Sequence, residues 1–269
     1  MSRMLLGRRR ALQVMAGAAA IACPVCRALA EEKAAEAPHV ADHSAAPHWS
    51  YEGEAGPEHW GDLSADFRSC AIGIEQTPID LARAVRAETG AIEPAFPKMP
   101  LTILNNGHTI QVNCAPGGYS NVSGQYFDLV QFHFHHPSEH LLAGTKFDME
   151  LHFVHKALDG KLAVLGVFIR PGKENADLAP IWAAMPKQAG EPVKVGSTID
   201  PAALLPKDRR HFRYKGSLTT PPCSEGVLWS VFEQPIEASS AQIRRFAELF
   251  PLNARPVQSL NSRYLLESF

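Results

Sequence analysis

The chain has 269 residues, 45% of them hydrophobic and 20% charged, with a formal net charge of −2. That is enough apolar material for one large core, and it excludes an intrinsically disordered chain. There is no basic excess to draw the protein to nucleic acid, so no nucleic-acid partner is expected.

The first thirty residues stand apart. Arg3, Arg8, Arg9 and Arg10 precede an apolar, alanine-rich run from Ala11 to Ala22, and Ala28-Leu29-Ala30 fits a small-residue cleavage site. Residues 1–30 therefore read as an export signal cleaved near Ala30, which places the mature protein in the periplasm. Arg8 and Arg9 favour a twin-arginine signal; the alternative is an ordinary secretory signal whose start is arginine-rich. The apolar run is too short to remain as a spanning helix, so no retained membrane anchor is expected. Its removal takes five arginines and no acids, leaving 21 basic against 28 acidic residues and a formal charge of −7. Residues 31–47, EEKAAEAPHVADHSAAP, combine alanine, proline and charge without an apolar period and read as a flexible linker.

From His48 onward, short apolar runs alternate with turn signals. LTIL (101–104), NNG and TIQV (109–112) come first, followed by YFDLVQFHFH (126–135), MELHFVH (149–155), LAVLGVFI (162–169) after Asp159-Gly160, and VLWSVF (227–232). All suit strands. Helical stripes are few: Leu178, Ile181, Trp182 and Met185 form one, and Ile243, Phe246, Ala247 and Phe250 form another between Ser239-Ser240 and Pro251. With no repeat and no second linker, a single strand-dominated domain over 48–269 is predicted.

The densest chemistry lies in QFHFHHPSEH, residues 131–140, which hold four of the twelve histidines. On a strand, Gln131, His133 and His135 share one face, while Phe132, Phe134 and His136 share the other. Same-face residues lie roughly 6.6 Å apart, close enough for two imidazoles to lean onto one ion at about 2.0–2.1 Å. MELHFVH offers a third ligand, His152 or His155. Glu150 and His152 are spaced like Gln131 and His133, so each ligand has a polar neighbour on its own face to hold its second ring nitrogen. Three neutral nitrogens with one tetrahedral position open describe a catalytic rather than a structural zinc site.

Beyond the signal the cysteines are Cys70, Cys114 and Cys223. In an oxidising compartment an odd count allows one disulfide and one thiol. Cys114 ends the alternating run TIQVNC and is expected to be buried, which leaves Cys70 to pair with Cys223.

The pieces HWSY, GPEHW, QTPID, NNGH, QFHFHHPSEH, ELHFVH, LAVLGVF, GSLTTPPC and NARPVQ, in that order, resemble an α-class carbonic anhydrase over nearly all of 48–269. The resemblance implies a mainly β fold, with a central twisted, mostly antiparallel sheet and a few short peripheral helices. It also implies one Zn2+ per chain in a conical cleft and the hydration of CO2 to bicarbonate and a proton. His133, His135 and His152 match the zinc ligands. Gln131, Glu150 and the backbone carbonyl of Asn253 match their supports. Thr219 matches the residue whose hydroxyl donates to Glu139 and so orients the nucleophile, and Thr220 matches one that places bicarbonate. Val154, Val164, Leu218 and Trp229 match the apolar CO2 pocket; without the resemblance all four read as core. His108 matches a proton shuttle, with Tyr51, Asn106 and Gln111 ordering the water between; without the resemblance it reads as a turn histidine. His136, His140 and His155 are left to the fold, and His59 and His211 to ordinary packing or exposure. The short HPSEH loop points to the bacterial branch, as a monomer or homodimer. Two other functions stay open: a non-enzymatic binding module of the same fold, and a zinc esterase.

Overall fold

The computed structural model describes residues 47–269. The export signal over 1–30 and the linker over 31–47, apart from Pro47, lie outside the described residues.

Period-two alternation builds the sheet. The strands that frame the site are β1 (Met99–Asn105), β2 (Ile110–Asn113), β3 (Gln125–His135), β4 (Met149–Lys156), β5 (Leu162–Pro171), β6 (Val193–Ile199), β7 (His211–Ser217) and β8 (Glu225–Ala238). They lie in the order β6-β1-β2-β3-β4-β5-β8-β7 within a twelve-stranded sheet. Pairing is mostly antiparallel, with β5 and β8 forming a parallel pair in the interior. This is the mainly β architecture implied by the resemblance.

One irregularity sets the orientation of the site. His155 pairs with Leu129 but Val154 pairs with Gln131, so Val130 is bulged out of β3 and half its surface is exposed. Before the bulge the buried apolar residues are Phe127 and Leu129; after it they are Phe132 and Phe134. The extra residue changes the strand's phase and turns Gln131, His133 and His135 away from the main core. That core packs Phe132, Phe134, Phe153, Leu165, Trp182 and Phe246 beneath the sheet. A second cluster, with Val164, Tyr214 and Trp229, covers part of the opposite face.

Helix α3 (Ala179–Ala184) buries Ile181 and Trp182, and the ends of its predicted stripe, Leu178 and Met185, serve as its caps. Helix α4 (Ser240–Ala247) begins with a capping box between Ser239 and Gln242. The four-residue helices α1 (Trp60–Leu63) and α2 (Ser69–Ile72) are too short for a helical period to show in the sequence.

Cys70 and Cys223 are bonded across 153 residues. Cys114 is free but half-buried rather than buried, because it lies just beyond the end of β2. Burial still pushes its thiol up to about 12.

His155 is fully buried beside Ser120, and burial lowers its pKa to about 4. The unfolded chain, at about 6.5, takes up the proton first as pH falls. The histidine's contribution is therefore complete above pH 6.5 and drains away between 6.5 and 4, about 2 kcal/mol of it by pH 5. Denaturant unfolding at pH 7.5 and 5 should show a smaller acid loss in a His155→Gln variant than in the parent. Equal losses would place the acid limit elsewhere.

Candidate metal centre

The bulge at Val130 and the antiparallel register of β3 and β4 bring three imidazoles together. His133 lies directly opposite His152, and His135 opposite Glu150. The ring centroids are 5.0 Å apart for His133 and His135, 5.3 Å for His133 and His152, and 4.5 Å for His135 and His152.

Each ring has one nitrogen engaged. His133 Nδ1 lies 2.9 Å from Gln131 Oε1, His135 Nδ1 lies 2.7 Å from the Asn253 carbonyl, and His152 Nε2 lies 2.9 Å from Glu150 Oε1. All three partners are acceptors, so each engaged nitrogen carries the hydrogen and the other is bare. The bare set is His133 Nε2, His135 Nε2 and His152 Nδ1. One ligand atom from each residue falls within 4.8 Å of the other two. Burial lowers the pKa of all three rings: His133 falls well below its ordinary value with help from its two neighbours, His135 to about 4, and His152 is lowered against the opposition of Glu150. The rings are neutral near pH 7 and their lone pairs are free. His135 Nε2 is buried without a hydrogen-bond partner, as expected of a nitrogen built to bind something else. The donor set fits a zinc ion with one position left open.

Glu139 adjoins the bare nitrogens. Its Oε2 lies 3.6 Å from His135 Nε2 and 3.8 Å from His152 Nδ1, and its Oε1 accepts from the Arg255 backbone N–H at 2.9 Å. Burial raises the carboxyl to about 7, with His152, the Arg255 N–H and the Thr219 side chain opposing the rise. Thr219 is thus beside Glu139, yet Oε2 has no hydrogen-bond partner. Oε2 is directed toward the imidazoles. Thr220 follows at the rim, half-buried.

The apolar residues continue the same face. Val154 follows His152 by two positions and pairs with Val164, which pairs with Trp229. The Trp229 ring lies 4.9 Å from that of His152, and its indole N–H donates to the Ser217 carbonyl. Val164 and Trp229 are buried, while Val154 and Leu218 are partly open.

His108 lies in a turn at the end of β1. Asn106 Oδ1 accepts from the His108 and Thr109 N–H groups, and Gly107 takes φ +89°, the left-handed geometry that favours glycine. The imidazole stacks on Trp49 at 3.6 Å and borders a cavity of about 280 Å³ with Tyr51 and Asn253. Burial, and then the charge of His48, lower its pKa. Asn106 Nδ2 donates to Gln111 Oε1, and Gln111 pairs with His133 across the sheet. Tyr51 packs against Trp49 and Trp60, and burial followed by Glu139 raises its phenol.

Sequence reasoning passed over His140 and the side chain of Asn253, both of which the structure joins to this site. His140, assigned to the fold, puts its Nδ1 2.7 Å from the same Glu150 oxygen that holds His152. Asn253 contributes its side chain as well as its carbonyl: Oδ1 accepts from the His136 N–H, and Nδ2 donates to the His108 and Phe134 carbonyls. The signal for His140 was its place within the histidine-rich decapeptide; the role of the Asn253 side chain gave none.

The family model for eukaryotic-type carbonic anhydrase matches residues 55–269. The chain is 49% identical to a carbonic anhydrase of Nostoc sp. over 82% of its own length and 86% of that protein's. It is 43% identical to one of Klebsiella pneumoniae, over 82% and 92%. Among solved structures it resembles the α-carbonic anhydrase of Thermovibrio ammonificans in complex with sulfanilamide, with a TM-score of 0.80 and 46% identity over 82% of this chain and all of that one.

Proposed function

The chain belongs to the eukaryotic-type, α-class carbonic anhydrase family and is a carbonate dehydratase; we propose that it hydrates CO2 with one zinc ion held by His133, His135 and His152. The observation that carries this reading is the set of three neutral imidazoles, each with its outward nitrogen hydrogen-bonded and its inward nitrogen bare.

Zinc supplies Lewis acidity, known in carbonic anhydrases to bring the pKa of water down to about 7. Gln131, Glu150 and the Asn253 carbonyl fix the ring tautomers and raise the basicity of the ligands. CO2 is small and has no net dipole, so Val154, Val164, Leu218 and Trp229 give it an apolar wall beside His152. Glu139 and Thr219 set the direction from which a lone pair meets the substrate carbon, an orientation effect. Thr220 places the bicarbonate oxygens. Each turnover frees one proton, and His108 takes it toward solvent across water ordered by Tyr51, Asn106 and Gln111.

The test is CO2 hydration followed by stopped flow on one preparation, zinc-loaded and then chelated, with ester hydrolysis measured alongside. Hydration that needs zinc supports the reading; zinc-independent hydration, or none, ends it. A non-enzymatic relative has no need of three intact ligands, and a dedicated esterase needs an acyl pocket that the apolar wall does not offer.

The proton step is tested separately. His108→Ala is expected to lower kcat in dilute buffer by about 100-fold, the low end for a positioned acid–base group. Its kcat/KM should change little, and added imidazole should restore much of the loss. An unchanged kcat would return His108 to a turn role.

The periplasm is the proposed location, reached through a signal cleaved near Ala30, by the twin-arginine route if lysine at both Arg8 and Arg9 blocks export. The Cys70–Cys223 disulfide fits an oxidising compartment, and no helix among the described residues is long and apolar enough to cross a membrane.

A further inference from the structure

Glu150 accepts four hydrogen bonds: the backbone N–H groups of Glu139 and His140 on Oε2, both at 2.9 Å, and the rings of His140 and His152 on Oε1, at 2.7 and 2.9 Å. A carboxylate has about four acceptor positions. All four are filled, so His140 Nδ1 must carry a hydrogen. The other nitrogen of that ring, Nε2, lies 2.6 Å from the Tyr214 hydroxyl, which in turn lies 3.3 Å from Thr77 Oγ1. Thr77 Oγ1 already accepts the Ser217 N–H, so its own hydrogen is free to point at Tyr214. Every member of this chain is buried.

We propose that Tyr214 is a positioning residue for the metal centre: its hydroxyl donates to His140 Nε2 and thereby holds His140 as the neutral, Nδ1-protonated tautomer. The hydrogen bonds then run in one direction, from Thr77 to Tyr214 to His140 to Glu150. Glu150 keeps its full negative charge for His152 Nε2–H, and His152 Nδ1 is left bare and electron-rich. With the opposite polarity, Tyr214 would donate to Thr77 and His140 would carry hydrogens on both nitrogens. Glu150 would then be neutralised by an imidazolium and would support His152 less. The inference rests on His152 being a metal ligand.

The decisive measurement is ¹⁵N NMR of the histidine side chains in the zinc-loaded mature protein. The expected spectrum shows His140 with a protonated Nδ1 and a bare, hydrogen-bonded Nε2. Protonation of both nitrogens, or of Nε2 alone, would overturn the proposal. Tyr214→Phe removes only the hydroxyl and keeps the ring against Trp229. Zinc transfer from this variant to a chelator should be about tenfold faster than from the parent, the lower range for loss of a supporting partner; transfer at the parental rate would also overturn it. If the variant fails to fold, the tautomer in the parent protein still decides. A parent protein that takes up no zinc would end the metal-centre reading and, with it, the positioning role of Tyr214, whereas a zinc-loaded parent with the wrong His140 tautomer would end the positioning role alone.

Discussion

Replacing His152 with alanine is expected to abolish tight zinc binding and to lower CO2 hydration by more than about 10³-fold, because it removes one of three ligands from an already open site. Only two bare nitrogens would remain, His133 Nε2 and His135 Nε2, and the Glu150 carboxylate would lose one of its four donors. His155 is the control. It sits three residues further along β4, beyond the register shift, where its ring bonds to Ser120 and to the Phe153 carbonyl. His155→Ala should cost stability and leave the zinc in place. Zinc content by elemental mass spectrometry, measured with hydration on the same samples, separates the two variants. Full occupancy in His152→Ala would end the ligand assignment.

A Cys70→Ser, Cys223→Ser double variant is expected to lose about 5 kcal/mol of stability in the loop-entropy account, since the bond closes 153 residues. For a domain of this size that corresponds to a Tm lower by roughly 10–20 °C. Hydration should fall as well. The Cys223 N–H donates to the Thr220 carbonyl, and the Cys223 carbonyl accepts from Gln76. On the other side, the Cys70 carbonyl accepts from the buried guanidinium of Arg255, whose backbone N–H holds Glu139. The disulfide therefore ties together the segments that position Glu139, Thr219 and Thr220. Calorimetry with hydration at 25 °C tests this; a Tm within a few degrees of the parent would show that packing alone holds the loop. Cys114→Ser should leave both readings unchanged.

The parts of the site that follow from local periodicity were open to sequence reasoning. His133, His135, His152, Gln131 and Glu150 lie on two strands at spacings of two, so parity alone groups them. The apolar runs likewise marked the strands of both core faces. The bulge at Val130 was hidden, because DLVQF reads equally well as unbroken alternation until a partner strand fixes the register. Asn253, Thr219 and Glu139 are on loops whose approach depends on contacts distant in the chain, and only the resemblance pointed to them. His140, left to the fold, reaches the metal centre only through Glu150, a link invisible in either residue alone.

Asn253 has a further consequence. Its backbone carbonyl orients His135, and its side chain grips the carbonyl of His108. Both ends of the proposed proton route are thus measured from one datum. The backbone at His108 and the ring of His135 are referenced to the same buried residue. In the proposed route, the span that water has to bridge is thereby set by a single part rather than accumulated along the fold.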